Sequence, residues 1–250
     1  MQVRKLILCF TFGTCAALYI SNATAGLADY VYTPTVEQGE KEIDFKFGAA
    51  KQQDGTRKAV TSLGFGYGAT DYWFTELYLK RELASGENLT LAEWENKFQL
   101  TETGKYAVDI GLIVELEAPL NSSKEPWEFK IGPLFQTEFG KLQLNGNVLL
   151  ERKFGHKDAD DRFVTEAGYQ LQVKYRWKPS LEFGAQGMGE MGEWDNWDSA
   201  NNQNHRVGPA VFGKLALGNK QAIKYNAAWL FGISDAAPNN TFRMQLEYEF

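Results

Sequence analysis

From residue 40 to residue 250 the chain alternates apolar and polar positions, the period of strands whose successive side chains point to opposite faces. Ile43, Phe45 and Phe47 stand against Glu42, Asp44 and Lys46 in a first strand, and Asp54-Gly55 supplies the turn after it. Leu63, Phe65 and Tyr67 oppose Ser62, Gly64 and Gly66. Over residues 72–83 the register is ambiguous, because Trp73, Leu77 and Leu79 compete with Phe74 and Tyr78 for the apolar face. Ala92, Trp94 and Phe98 then face away from Glu93, Glu95 and Lys97, and the clearest run sets Ile110, Leu112, Val114 and Leu116 against Asp109 and Glu115. Continued to the last residue, the pattern predicts about twelve strands, an even number as single-chain bacterial barrels require. Connections after even-numbered strands read as short. Those after odd-numbered strands read as longer, up to the loop at 189–204. Pro133 and Pro209 fall inside strands, each after a glycine, which predicts a bulge at each Gly-Pro.

The last strand places Phe242, Met244, Leu246, Tyr248 and Phe250 on one face and Arg243, Gln245, Glu247 and Glu249 on the other. This ending resembles the C-terminal insertion signal of Gram-negative outer-membrane β-barrels, in which a terminal Phe and alternating apolar residues are read by the barrel-insertion machinery. The resemblance implies an all-β fold: a single antiparallel up-and-down transmembrane β-barrel of the small transporter or porin-like type. It also implies that the last strand pairs with the first to close the cylinder.

The N-terminal residues differ. Arg4 and Lys5 precede an almost wholly apolar stretch over 6–20, and Ala23-Thr24-Ala25 has the small-residue pattern of a cleavage site. Residues 1–25 therefore read as a cleaved signal peptide, 26–39 as a short periplasmic lead-in, and 40–250 as the barrel. Both cysteines, Cys9 and Cys15, lie in the signal, which removes disulfides and thiolate chemistry from the mature chain. The net charge of −6 becomes −8 without Arg4 and Lys5, 24 cations against 32 acids, a poor balance for nucleic-acid binding.

About twelve strands enclose a space too wide for core side chains to fill in the manner of a soluble eight-stranded barrel. Aromatics also fall into two bands: Tyr67, Trp73, Phe98, Tyr106, Phe135, Tyr175, Tyr248 and Phe250 near one set of strand ends, Phe47, Trp94, Trp127, Phe163, Trp229 and Phe242 near the other. The two interfaces of a bilayer select such bands. The apolar face then meets lipid. Glu42, Asp44, Lys46, Glu93, Glu95, Lys97, Asp109, Glu115, Lys130, Glu166, Lys174, Arg206, Lys214, Lys224, Arg243 and Glu247 line the lumen, where they would tune the selectivity of a hydrated pore or pair into a closed interior.

Catalytic candidates are few. His156 precedes Asp158, Asp160 and Asp161, and His205 follows Glu190, Glu193, Asp195, Asp198 and Ser199, but no spacing matches a nucleophile–base pair. The same carboxylates lack the ordered ligand spacing of a calcium loop. The sequence thus points to an outer-membrane channel for passive passage of small solutes, not an enzyme, with no catalytic residue, metal or cofactor and both termini in the periplasm. Its expected partners are outer-membrane lipid, lipopolysaccharide, the insertion machinery and a small solute, with no nucleic acid. A non-conducting surface barrel with interaction loops is the alternative, and an outer-membrane hydrolase a third reading.

Overall fold

A computed structural model describes residues 26–84, 86–123, 125–155 and 163–250. The expected signal peptide and His156, Asp158, Asp160 and Asp161 lie outside the described residues. The strands are β1 (Lys41–Lys51), β2 (Arg57–Thr70), β3 (Trp73–Ala84), β4 (Glu87–Gln99), β5 (Asp109–Pro119), β6 (Trp127–Phe139), β7 (Leu142–Phe154), β8 (Thr165–Lys178), β9 (Leu181–Glu193), β10 (Asn196–Trp197), β11 (Asn204–Gly218), β12 (Gln221–Gly232) and β13 (Asn240–Glu249). The two-residue β10 folds back on β9 within a loop. The other twelve strands form one antiparallel cylinder with neighbours in sequence order, and β13 closes it against β1 with Tyr248 opposite Ile43 and Phe242 opposite Ala49.

Exposure settles which face is outside. Phe65, Leu77 and Trp94 are 52%, 64% and 47% exposed, whereas Asp44, Glu76 and Glu95 are 0%, 2% and 1% exposed. The apolar face is the outer wall and the charged face the inner one. In β3 this resolves the ambiguity: Leu77 and Leu79 point out, Phe74 and Tyr78 point in. Stacked or tilted rings mark both rims of the outer wall, Trp73 with Phe98 and Tyr248 with Phe250 at the end carrying Phe250, and Phe242 with both Phe47 and Trp229 at the other.

Connections at the Phe250 end, called here the turn end, are mostly two residues long. At 219–220 both Asn219 and Lys220 have positive φ (52° and 65°), the backbone of a two-residue hairpin turn whose twist matches that of its strands. Two connections depart from the length alternation expected from sequence. The one between β4 and β5 spans 100–108 at the turn end, and that between β3 and β4 is only 85–86 at the opposite, loop end, because β3 and β4 pair almost to their tips. The expected bulges at Gly132-Pro133 and Gly208-Pro209 are also absent. Pairing of β6 with β7 lapses between Ile131↔Leu150 and Leu134↔Asn147, and of β11 with β12 between Val207↔Phe231 and Ala210↔Ala228, and the register on either side is unchanged. Proline lacks the N–H that ladder bonds need, and the loss is absorbed without an extra residue.

Residues 26–39, expected as a short periplasmic lead-in, run inside the barrel: Leu27, Ala28, Val31 and Tyr32 are 2–4% exposed. They complete three apolar clusters, Leu27 and Ala28 with Ala50 and Val60, Val31 with Met188 and Leu230, and Tyr32 with Ile113 and Leu134. Those wall residues are apolar positions on an otherwise polar inner face, which is why strand periodicity alone gave no sign of a lumen occupant.

Candidate solute pathway

The barrel interior divides into two sectors. Across β1 to β7 it is ionic, and three buried lysines each bridge carboxylates. Lys46 lies 3.7 Å from Asp44 and 3.8 Å from Glu95, Lys80 lies 2.9 Å from Glu93 and also contacts Glu117, and Lys130 lies 2.9 Å from Glu115. A buried charge is tolerable only when paired and hydrogen-bonded, and each lysine sits between two acids for that reason. A second sector, overlapping the first at β6 and β7, carries a belt of amides. Asn145 donates to Gln136, Gln172 to Asn145 and Gln186 to Gln172, at 2.7–3.2 Å. Arg243 continues this belt, with Nη1 donating to Gln186 Oε1 at 2.6 Å and Nη2 to Asn226 Oδ1 at 2.9 Å. Asn226 donates to Gln245, and Gln245 donates to Asp44, which also accepts from the Tyr78 hydroxyl at 2.7 Å. The belt thereby spans the interior from β6 round to β3.

The sequence-derived lumen set falls on the inner face, but in different settings. Glu42, Asp44, Lys46, Glu93, Glu95, Asp109, Glu115, Lys130, Arg206 and Arg243 are buried. Lys97 places its ammonium 4.9 Å from the Phe74 ring, Lys174 pairs with Glu182 at 3.3 Å, and Glu166 borders a small cavity. At the turn end, Lys224 joins Glu40, Glu247 and Glu249, and the half-exposed Lys214 pairs with Glu249 at 2.6 Å. The three carboxylates there lie close enough together to resemble a metal site, but Lys224 already occupies the centre of the group. Glu76, Lys80 and the amides of the belt were missed from sequence, the first two because the β3 register was undecided, the amides because charge was the criterion. Phe242, Met244, Leu246 and Tyr248 belong to the outer face of β13, and Phe250, one residue past the strand, is exposed.

The 26–39 segment crosses this interior and is tied to both sectors. Asp29 Oδ2 lies 3.5 Å from Lys130 Nζ, and the Tyr30 hydroxyl donates to Glu95 at 2.7 Å while Lys46 stands 4.2 Å above its ring. The Tyr32 amide donates to Gln170 Oε1 at 3.3 Å, its carbonyl accepts from Asn147 at 3.2 Å, and the Val36 amide donates to Gln99 at 2.8 Å. A lone extended chain has no strand partner for its amides, so wall side chains stand in. Two wall glycines make room for it: a Cβ on Gly48 would sit 2.1 Å from the Leu27 carbonyl oxygen, and one on Gly68 1.9 Å from that of Glu37. With the segment in place, an internal cavity of about 50 Å³, bordered by Asp29, Lys130, Glu151, Glu166, Gln170 and Met188, has room for little more than water.

His205 does not assemble a catalytic group. Its Nδ1 lies 3.0 Å from the Tyr169 hydroxyl and its Nε2 2.7 Å from Gln203 Oε1, so both ring nitrogens engage neutral side chains rather than Ser199 or a carboxylate.

No known family and no curated protein matches the chain. Among solved structures, an outer membrane channel from Pseudomonas putida F1 is similar at a TM-score of 0.57 and 15% identity, covering 88% of this chain and 97% of the other. The NanC porin is similar at a TM-score of 0.52 and 12% identity, covering 83% and 98%. The translocator domain of the autotransporter NalP from Neisseria meningitidis is similar at a TM-score of 0.51 and 12% identity, covering 86% and 89%. At these identities the likeness is one of fold: this chain has the architecture shared by outer-membrane channels, porins and autotransporter translocators.

Proposed function

We propose that this protein is an outer-membrane channel for passive passage of small solutes, with no covalent chemistry, whose lumen is occupied by its own residues 26–39 in the resting state. The observation that carries the reading is a polar, ionic inner wall within a closed barrel whose outer wall is apolar and ringed by aromatics at both rims. The barrel spans the outer membrane with its C-terminus in the periplasm and its longer loops outside, while the start of the 26–39 segment lies inside the lumen, where Leu27 and Ala28 pack on Ala50 and Val60 toward the loop end. Phe250 and the apolar face of β13 serve as the insertion signal. The inner-wall charges set which solutes pass. The segment is held by side-chain contacts and by no strand ladder, a mode of attachment that permits release.

Single-channel recording in planar bilayers tests this. The full chain is expected to conduct rarely and weakly, and a variant lacking 27–36 to conduct steadily. A deletion variant that inserts and folds but passes no current would overturn the channel reading. The filled lumen favours one second reading, a non-conducting surface barrel whose loops contact other molecules, and that outcome would select it.

A further inference from the structure

Charge on the outer wall is rare enough that its placement is informative. On β1, β2 and β3 the outward positions carry no carboxylate, and three of their four cations, Lys51, Arg57 and Arg81, lie toward the loop end. Lys51 and Arg57 pair directly across the β1–β2 ladder, and Arg81 stands on the next strand opposite Thr61. All three are exposed, and among the described residues none forms an ion pair; Arg81 Nε donates to Asn88 at 3.0 Å.

One outward row away from Lys51 and Arg57, the register runs Trp229, Phe242, Ala49, Ala59, Leu83 across five neighbouring strands. The two alanines form a floor between the Trp229–Phe242 ring pair and Leu83, and the resulting groove has a volume of about 750 Å³ with Lys51 and Arg57 among its lining residues. A groove that is apolar along its floor, continuous with the apolar wall, and cationic at its rim is complementary to an acyl chain ending in a phosphorylated headgroup.

We infer that this groove is a binding site for the phosphorylated lipid anchor of lipopolysaccharide, with an acyl chain over Ala49 and Ala59 and phosphate on Lys51, Arg57 and Arg81. The assignment to the outer leaflet rests on the proposed orientation, in which the loop end faces outside. Lys51 and Arg57 line the groove, whereas Arg81 stands two outward rows away and reaches it through its bond to Asn88, a lining residue; a phospholipid with a single phosphate would use only part of this set of three cations.

The test uses the full chain, purified in detergent, stripped of lipid and titrated with the bis-phosphorylated lipid anchor, its dephosphorylated form, and phosphatidylglycerol, with binding read by native mass spectrometry. Wild type is expected to prefer the bis-phosphorylated anchor. The triple variant Lys51→Gln, Arg57→Gln, Arg81→Gln should bind it about 100-fold more weakly, the effect of three basic residues on anionic lipid. Lys41→Gln, on the outer wall at the turn end, should leave binding unchanged. Ala59→Trp keeps every charge and fills the groove, so it should also weaken binding; heat-modifiable migration on gels confirms that each variant is folded. Equal binding by wild type and the triple variant, or equal binding of phosphatidylglycerol and the anchor, would overturn the site. Labelling of Asp54→Cys on intact cells separates the two readings: labelling without anchor binding sinks the site alone, and labelling only after lysis sinks the orientation and the site with it.

Discussion

Asp29, on the segment inside the barrel, meets Lys130 of β6 at 3.5 Å, and the same ammonium is held by Glu115 at 2.9 Å. The segment is thus latched to a cation that the wall has already paired. Asp29→Asn removes the latch and leaves the Lys130–Glu115 pair in place. Open events in bilayer recordings should become more frequent, with the barrel's unfolding changed little. Docking of the segment should weaken by roughly 1–3 kcal/mol, the worth of a hydrogen bond to a charged group. Lys130→Met is the contrasting variant: it strands two carboxylates and should cost the fold about 3–5 kcal/mol in urea unfolding.

Gly48 offers a steric test of the same idea. Its Cβ would meet the Leu27 carbonyl oxygen, a backbone atom that a rotamer change cannot move aside. Gly48→Leu should therefore expel the segment and reproduce the conductance of the 27–36 deletion, with residues 26–39 becoming open to protease. Gly146→Leu serves as the control, since a Cβ there meets only Leu171, at 3.5 Å. If Gly48→Leu conducted no more than wild type, the segment would not be what closes the lumen.

Much of the barrel was legible because lipid and lumen impose opposite demands on alternate residues. Phe45 and Asp44 could not exchange faces without placing a charge in hydrocarbon, so the period-two pattern fixed inside and outside along β1. The β1–β13 seam followed from counting strands. The contents of the lumen were not legible. Leu27, Val31 and Tyr32 make no strand pattern, and their contacts Ile113, Leu134 and Leu230 read individually as ordinary apolar residues on inward positions. Tertiary partners, not local periodicity, define that segment. The amide belt escaped for a related reason: Gln172 and Gln186, bonded to each other, connect to Asn226 and Gln245 only when Arg243 reaches across from β13.

Arg243 is the joint of that belt. At 1% exposure it donates to Gln186 on β9 and Asn226 on β12, bypassing β11. Arg243→Gln loses the reach, leaving amide acceptors on two strands without a donor. The expected cost is about 2–4 kcal/mol, seen as a lower unfolding temperature of the detergent-solubilised barrel. Arg243→Lys should recover only part of it, because one ammonium cannot present two parallel donors to separated oxygens.

Glu40 precedes β1 at the turn end, where Lys224 binds it at 3.2 Å and Glu249 shares the same lysine. Burial first, and then its hydrogen bond with Glu249, push its carboxyl up to about 7 against the pull of Lys224. In the window between the ordinary glutamate value and about 7, the folded state holds a proton that the unfolded chain has released. Stability must then fall as pH rises across that window, by at most about 1.4 kcal/mol per pH unit, and level off above it. Urea unfolding of wild type and Glu40→Gln from pH 4.5 to 8 isolates this group from the other carboxylates. The stability of wild type relative to the variant should decline with pH and flatten near 7, whereas parallel profiles would show that the Glu40 proton has no part in holding the β1–β13 seam.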